Sequence, residues 1–214
     1  DEAAEFQSII NGEFMEYVRG LKEQGIIRHI GMSTHNPAVA KMGALCGEIE
    51  MILFSINPAF DMLPASENIE DYFKERYEEE LGGIAPERAE LYRICEQEEV
   101  GITVMKGYAG GRLFSAEASP FGVALTPVQC LHYALTRPAV ASVMVGYDTP
   151  DHVAAAVAYE SASEEEKDYA TVLAGAPHHA YAGQCTYCGH CAPCPAAIDI
   201  ALVNKLYDLA AVSY

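Results

Sequence analysis

Basic residues are scarce in this chain. Lys and Arg number 13 against 31 Asp and Glu, which gives a formal charge of −18. An acid excess of that size repels phosphate backbones and anionic lipid, so nucleic acid and membrane surfaces are poor partners. Solubility alone is enough to explain the acidity. No uninterrupted apolar run approaches the roughly 20 residues a membrane span needs. No basic-then-apolar segment opens the chain, as a secretory signal would. An initiating Met is also lacking: the first residue is Asp1, from which we expect a processed protein or a piece of a longer one. Disulfide patterning is absent too. Of seven cysteines, Cys46, Cys95 and Cys130 are scattered and the other four crowd together near the end. An odd total with one tight cluster fits a metal site in a reducing cytoplasm better than a secreted disulfide framework.

What is present is apolar and ordered. The chain has 214 residues, half of them hydrophobic, enough for one buried domain with a small appendage. The first readable element is a helix over about 12–24, with Phe14, Tyr17, Val18 and Leu21 at helical spacing and Gly25 as its stop. An apolar run from Ile26 to Ser33 reads as a strand. Asn36 and Pro37 then open a helix as cap and first residue. The pattern repeats. Met51 to Ile56 is a second strand, ending at Asn57 and Pro58. Phe60 to Ile84 is acidic and aromatic and reads as a surface excursion. Pro86 to Glu99 is a helix, Gly101 to Met105 a third strand, and Lys106 to Gly111 its loop. Thr126 and Pro127 start a helix, Val140 to Val145 is a fourth strand, and Thr149 and Pro150 start another helix. Ser163 with Glu166 forms a capping box for one more.

Strands buried on both faces read as near-continuous apolar runs, as these do, and their alternation with helices predicts a parallel sheet with right-handed crossovers. In such sheets ligands meet the carboxyl ends of the strands. Polar residues and glycines collect there: Ser33, Thr34 and His35; Asn57; Lys106, Gly107 and Tyr108; Gly146, Tyr147 and Asp148. Ordinary loops favour the same residue types, so this alone does not separate function from connection. Four strand–helix units are half of an eight-fold barrel, which typically needs about 250 residues. A half barrel leaves two open edges, which must be covered. Either the sheet is open and doubly wound, or a partner half is required.

The strongest chemical signal runs from Gln184 to Pro195, with Cys185, Cys188, Cys191 and Cys194 at three-residue intervals. Four thiolates so close can wrap one compact inorganic core, and a 4Fe-4S cluster takes four thiolate ligands. Gly189 allows close backbone approach, and loop N–H groups can tune the cluster's potential. Pro195 ends the loop ahead of a helix around 198–209. Zinc is the competitor, although structural zinc sites usually separate two Cys pairs by a dozen or more residues. The last spacing is one residue shorter than the bacterial ferredoxin pattern, whose final Cys serves a second cluster. Here either Cys194 closes the same cluster or one of Cys46, Cys95 and Cys130 reaches it. His178, His179 and His190 are further substitutes.

At this point the chain resembles the second half of an aldo/keto reductase, of the subgroup with a ferredoxin-type tail. Leu21 to His35 resembles the family's fifth-strand signature and Asn57-Pro58 the end of its sixth strand. Val104 to Leu113 resembles the seventh strand and loop. Val145-Gly146 with Thr149 to Val153 resembles the eighth, and the cysteine run with Ile198 to Ile200 the tail. The resemblance implies a TIM-type (β/α)8 barrel whose strands 5–8 occupy residues 1–175, with a ferredoxin-like 4Fe-4S segment over 176–214. It also implies a nicotinamide cofactor, NAD(P)H, contacted by Ser33, Thr34, Asn57, Lys106, Gly146 and Asp148. The family's catalytic Asp, Tyr, Lys and His lie on the first four strands, so no catalytic residue is assigned here. Lys106 sits on the wrong strand to be the catalytic lysine. Thr34 stands where Asn is usual, an apolar residue near Leu53 replaces Gln, and Met105 replaces the aromatic that stacks on the nicotinamide. His152 and Ala156 replace the Arg and Asn that grip the adenosine phosphate.

The expected function is therefore an oxidoreductase that interconverts a small-molecule carbonyl and alcohol by hydride transfer. The cluster would exchange electrons with a carrier protein, and the missing N-terminal barrel half would supply catalysis. This chain alone is expected to be inactive. The competing expectation is a binding or regulatory protein in which the cluster, or zinc, is a structural clip.

Overall fold

The computed structural model describes residues 2–62, 84–176, 191 and 194–211. Helix α1 (Ala3–Ile10) buries Phe6 and Ile10 and was not legible in the sequence. Helix α2 (Glu13–Glu23) follows. Strand β1 (Gly31–Thr34) begins later than the apolar run suggests. Gly25 turns left-handed at φ 71°, and the N–H groups of Ile26 and Ile27 both bond to the Leu21 carbonyl. Those two residues therefore close α2 instead of extending the strand.

The next elements follow the expected order. Helix α3 (Pro37–Leu45) starts where the Asn36 side chain accepts the Ala38 N–H at 2.9 Å. Strand β2 (Met51–Ser55) leads into the short helix α4 (Pro58–Asp61), capped by Asn57. Helix α5 (Pro86–Gln97) leads to strand β3 (Gly101–Met105), and a 3-10 turn covers Ala109–Phe114. Helix α6 (Pro127–Leu135) opens on a capping box: Thr126 Oγ1 accepts from Gln129 N–H at 3.1 Å, and Gln129 Oε1 from Thr126 N–H at 2.9 Å. Strand β4 (Val140–Val143) precedes helices α7 (Pro150–Val157), α8 (Glu164–Lys167) and α9 (Tyr169–Ala174). Helix α10 (Ile200–Ala211) lies beyond the cysteine run. The predicted surface excursion falls mostly outside the described residues. Its first two, Phe60 and Asp61, are core residues at 2% and 0% exposure.

The four strands form one parallel sheet in the order β1-β2-β3-β4. Sequential order without a reversal is barrel-type winding, and it rules out a doubly wound arrangement of these strands. The register aligns Met32, Ile52 and Ile102, and then Thr34, Phe54 and Val104. This face is buried beneath the helices, Tyr92 of α5 meeting Phe54 edge-on at 6.4 Å. The opposite face carries Ser33, Leu53, Thr103 and Ser142, with Thr103 Oγ1 3.0 Å from Ser142 Oγ. Ser33 and Ser142 are exposed. The edge strands β1 and β4 are the least buried of the four.

One ion pair fastens the buried face. Asp61 and Arg88, both 0% exposed, meet at 2.9 Å. Tyr133 donates to the second Asp61 oxygen at 2.6 Å, and Tyr92 donates to the first. Arg88 also donates to the Ser55 carbonyl, and its guanidinium lies 4.7 Å from the centre of the Phe54 ring. Burial pushes the Tyr92 phenol well above its ordinary range, so it stays a hydrogen-bond donor. His35, half-buried after β1, has its protonated form disfavoured by burial first and then by the positive charge of Lys106.

Two outcomes are expected. Asp61→Ala strands a buried guanidinium and two hydroxyls, and should cost about 3–5 kcal/mol in urea denaturation. An unchanged midpoint would show that the pair carries no stability. The imidazole of His35 takes up its proton near 6.5 when unfolded and only below that when folded. Stability is thus complete above that pH and declines as pH falls through it. His35→Gln should flatten the loss in urea midpoints measured between pH 7 and 5.5. A slope identical to that of the unsubstituted chain would refute it.

Candidate functional site: the cleft at the ends of β3 and β4

Beyond the carboxyl ends of β3 and β4 lies a cleft of about 470 Å³. Its walls include Lys106, Gly110, Gly111, Gly146, Asp148 and His152. The chain builds it from two loops. After β3, Lys106, Ala109, Gly110 and Gly111 all take positive φ, at 60°, 49°, 67° and 84°. After β4, residues 144–149 lead into α7. Gly107 lets the two loops touch, since a Cβ there would stand 3.0 Å from Val145 Cγ1. At Gly110, Gly111 and Gly146 an added Cβ would meet nothing within 4 Å, so open space lies over their backbone. Such exposed backbone beside a lysine suits an anionic group. The Asp148 N–H donates to His152 Nδ1 at 3.3 Å, and the Thr149 hydroxyl caps α7 by accepting from His152 N–H at 3.3 Å.

Tyr108 packs against Phe114 at 4.8 Å between ring centres, the rings tilted by 58°. Its hydroxyl is buried without a hydrogen-bond partner among the described residues, and burial drives the phenol upward. The cleft carries one charge of each sign, Lys106 and Asp148. Lys106 and Arg88 are both close enough to disfavour protonation of His35.

The six residues expected at a cofactor are not brought into one place. Lys106, Gly146 and Asp148 line the cleft. Ser33 is exposed on the open sheet face. With Thr34 it borders a separate apolar slot of about 440 Å³, which also involves Phe6, Ile9 and Phe14. Thr34 is 2% exposed, and its hydroxyl accepts the Asn36 N–H at 3.1 Å, closing the turn into α3. Asn57 is fully buried. Its amide is used at both ends, accepting from Phe60 N–H at 2.9 Å and donating to the Lys106 carbonyl at 2.9 Å. The aromatic pair of Tyr108 and Phe114 escaped the sequence reading. The only signal was an aromatic before two glycines and another just after them.

Of the four clustered cysteines, Cys185 and Cys188 lie outside the described residues, as do His178, His179 and His190. Cys191 is exposed and Cys194 half-buried, both free. Among the described residues no group of three or more His, Cys, Asp and Glu is arranged to hold a metal. Cys95 and Cys130 are packed in the core at 0% exposure, and burial pushes both thiols up to about 12. That environment disfavours the thiolate a metal needs. Cys46 is half-buried at the end of α3, with Sγ 3.1 Å from the Gly43 carbonyl.

No family model matches the chain, and no curated protein matches it. Solved structures do. The holo form of the aldo-keto reductase AKR11C1 from Bacillus halodurans is similar with a TM-score of 0.50 and 22% identity, over 72% of this chain and 53% of that one. Its apo form matches with 0.49 and 21%, over 78% and 56%. The thermostable aldo-keto reductase Tm1743 in complex with the inhibitor epalrestat matches with 0.43 and 19%, over 72% and 52%. The chain spans about half the length of these structures. The likeness to the first is one of fold: a run of parallel strand–helix units shared with part of an aldo-keto reductase barrel.

Proposed function

We propose that this chain is the cofactor-side half of an aldo/keto reductase-type oxidoreductase, coupled to a 4Fe-4S electron-transfer centre and acting on a small-molecule carbonyl or alcohol. The observation that carries the first part is the cleft at the ends of β3 and β4, where open glycine backbone and Lys106 line the same space. A dinucleotide's pyrophosphate fits that chemistry. Lys106 supplies the charge, and the backbone at Gly110, Gly111 and Gly146 leaves room for the phosphates. A nicotinamide bound here supplies or accepts the hydride. The exposed sheet face with Ser33, Leu53 and Met105 would border its ring. Asp148 and His152 stand at the cleft where the adenosine end would lie, and neither offers a fixed positive charge for a second phosphate.

The acid–base groups would come from four further strand–helix units. The open flanks of β1 and β4 would receive them, since an unpaired parallel edge calls for another strand. Exposed apolar side chains stand at both ends of the array: Phe14 and Tyr17 on α2, and Val153 and Val157 on α7. Cys185, Cys188, Cys191 and Cys194 would hold the cluster, which supplies one-electron transfer to or from a carrier protein. With Cys95 and Cys130 sealed in the core, Cys194 fits the fourth position better than either, and Cys46 is the remaining alternative. A reducing cytoplasm is the compartment that suits such thiolates. Among the described residues no helix is long and apolar enough to cross a membrane.

Three measurements test the reading. Anaerobically purified chain should carry about four iron and four acid-labile sulfide, and Cys194→Ser should lose most of both. A colourless preparation holding zinc would refute the redox centre. The chain should bind NAD+ in calorimetry, and Lys106→Met should weaken that binding roughly tenfold. Equal binding by both would remove Lys106 from the site. Finally, the chain alone should not reduce a simple aldehyde with NADH or NADPH. Turnover would show that it carries its own acid–base groups.

A further inference from the structure

We infer that Asn57 is a positioning residue that acts on the bound anion only through Lys106. This rests on the reading of the cleft as a pyrophosphate site. Asn57 is 0% exposed, so it cannot touch a ligand itself. Its side chain spans two elements. Oδ1 accepts the Phe60 N–H at 2.9 Å, which caps α4 after β2, and Nδ2 donates to the Lys106 carbonyl at 2.9 Å, at the end of β3. The same carbonyl accepts the Ala109 N–H at 2.8 Å. Two donors on one oxygen fix the peptide plane that follows Lys106.

That restraint has a purpose in the backbone. Lys106 sits at φ 60°, a left-handed conformation that a side chain with a Cβ disfavours. Released from it, Lys106 would relax toward negative φ, and its Cα–Cβ bond would swing away from the cleft it now lines. A glycine would tolerate the conformation but would carry no ammonium. Asn at 57 thus lets a charged residue occupy a place where the backbone asks for glycine. The amide is the right group because one side chain must both accept and donate. A carboxylate can cap α4 equally well but cannot donate to the carbonyl.

The test is a double-substitution cycle on the full chain, with inorganic pyrophosphate as the probe and calorimetry as the readout. Asn57→Asp keeps the cap and loses the donor. Asn57→Ser keeps a capping oxygen without adding charge, which guards against a charge or folding artefact. In the Lys106 background each variant should weaken pyrophosphate binding about fivefold. In the Lys106→Met background Asn57→Ser should change nothing, and Asn57→Asp should show only the small residue of its added charge. Urea midpoints check that the variants are folded. Equal losses in both backgrounds would overturn the inference and leave the cleft reading intact, provided Lys106→Met itself weakens binding. If the unsubstituted chain does not bind pyrophosphate, or Lys106→Met binds as well as it does, the cleft reading fails and the inference falls with it.

Discussion

The Asp61 carboxylate is the point on which the architecture turns. It is fully buried away from bulk solvent, and Arg88, Tyr92 and Tyr133 supply its hydrogen bonds. These partners come from α5 and α6, and Arg88 also holds the last residue of β2 through the Ser55 carbonyl. A buried pair of this kind adds less stability than its Coulomb attraction suggests, because both ions lose their hydration. What it enforces is geometry: the bonds of Asp61 and Arg88 tie β2, α4, α5 and α6 to one another. Asp61 closes α4, and Asn57 opens it. The network that seals the core therefore also sets where Asn57 stands, and through it the backbone at Lys106. Core and cleft share one turn of four residues.

The two faces of the sheet differ in burial. The helix-covered face is a finished interior, with Ile52, Phe54, Ile102 and Val104 all nearly inaccessible. The other face mixes Met51, Leu53 and Met105 with Ser55 and Thr103 on the middle strands, and has open edges at the sides. In a closed barrel such a face is filled by layers of side chains from alternate strands. On this face Thr103 pairs with Ser142 of the adjacent strand and donates its hydroxyl to the Met51 sulfur.

Much of the fold was legible because local chemistry and tertiary structure agree. Asn36, Thr126, Thr149 and Ser163 are caps in the sequence and caps in the structure, and each precedes a proline or a capping-box partner. The four apolar runs became four strands: β1 lost its first residues to a turn, β2 and β4 stop before Ile56 and Met144, and β3 runs as expected. Illegible features depended on long-range partners. Asp61 sits in an acidic stretch where nothing local separates a buried carboxylate from a solvated one. The dual bonding of Asn57 needs Lys106, 49 positions away. At the cleft, glycines and Lys106 were visible as loop residues, but their meeting with Gly146 and Asp148 comes from adjacency of β3 and β4. Ser33 and Thr34 looked equivalent in sequence. The two-residue period of a strand sends one to the open face and the other into the core.

The flush contact of Gly107 with Val145 has a mechanical consequence. The loops that form opposite walls of the cleft are joined at their base, where the Val145 side chain packs directly on the bare backbone of Gly107. They cannot splay apart like jaws without breaking that seam. A guest entering there would meet a floor that keeps its shape and side chains free to rotate only at the mouth, so a bulkier one would have to be accommodated at the rim.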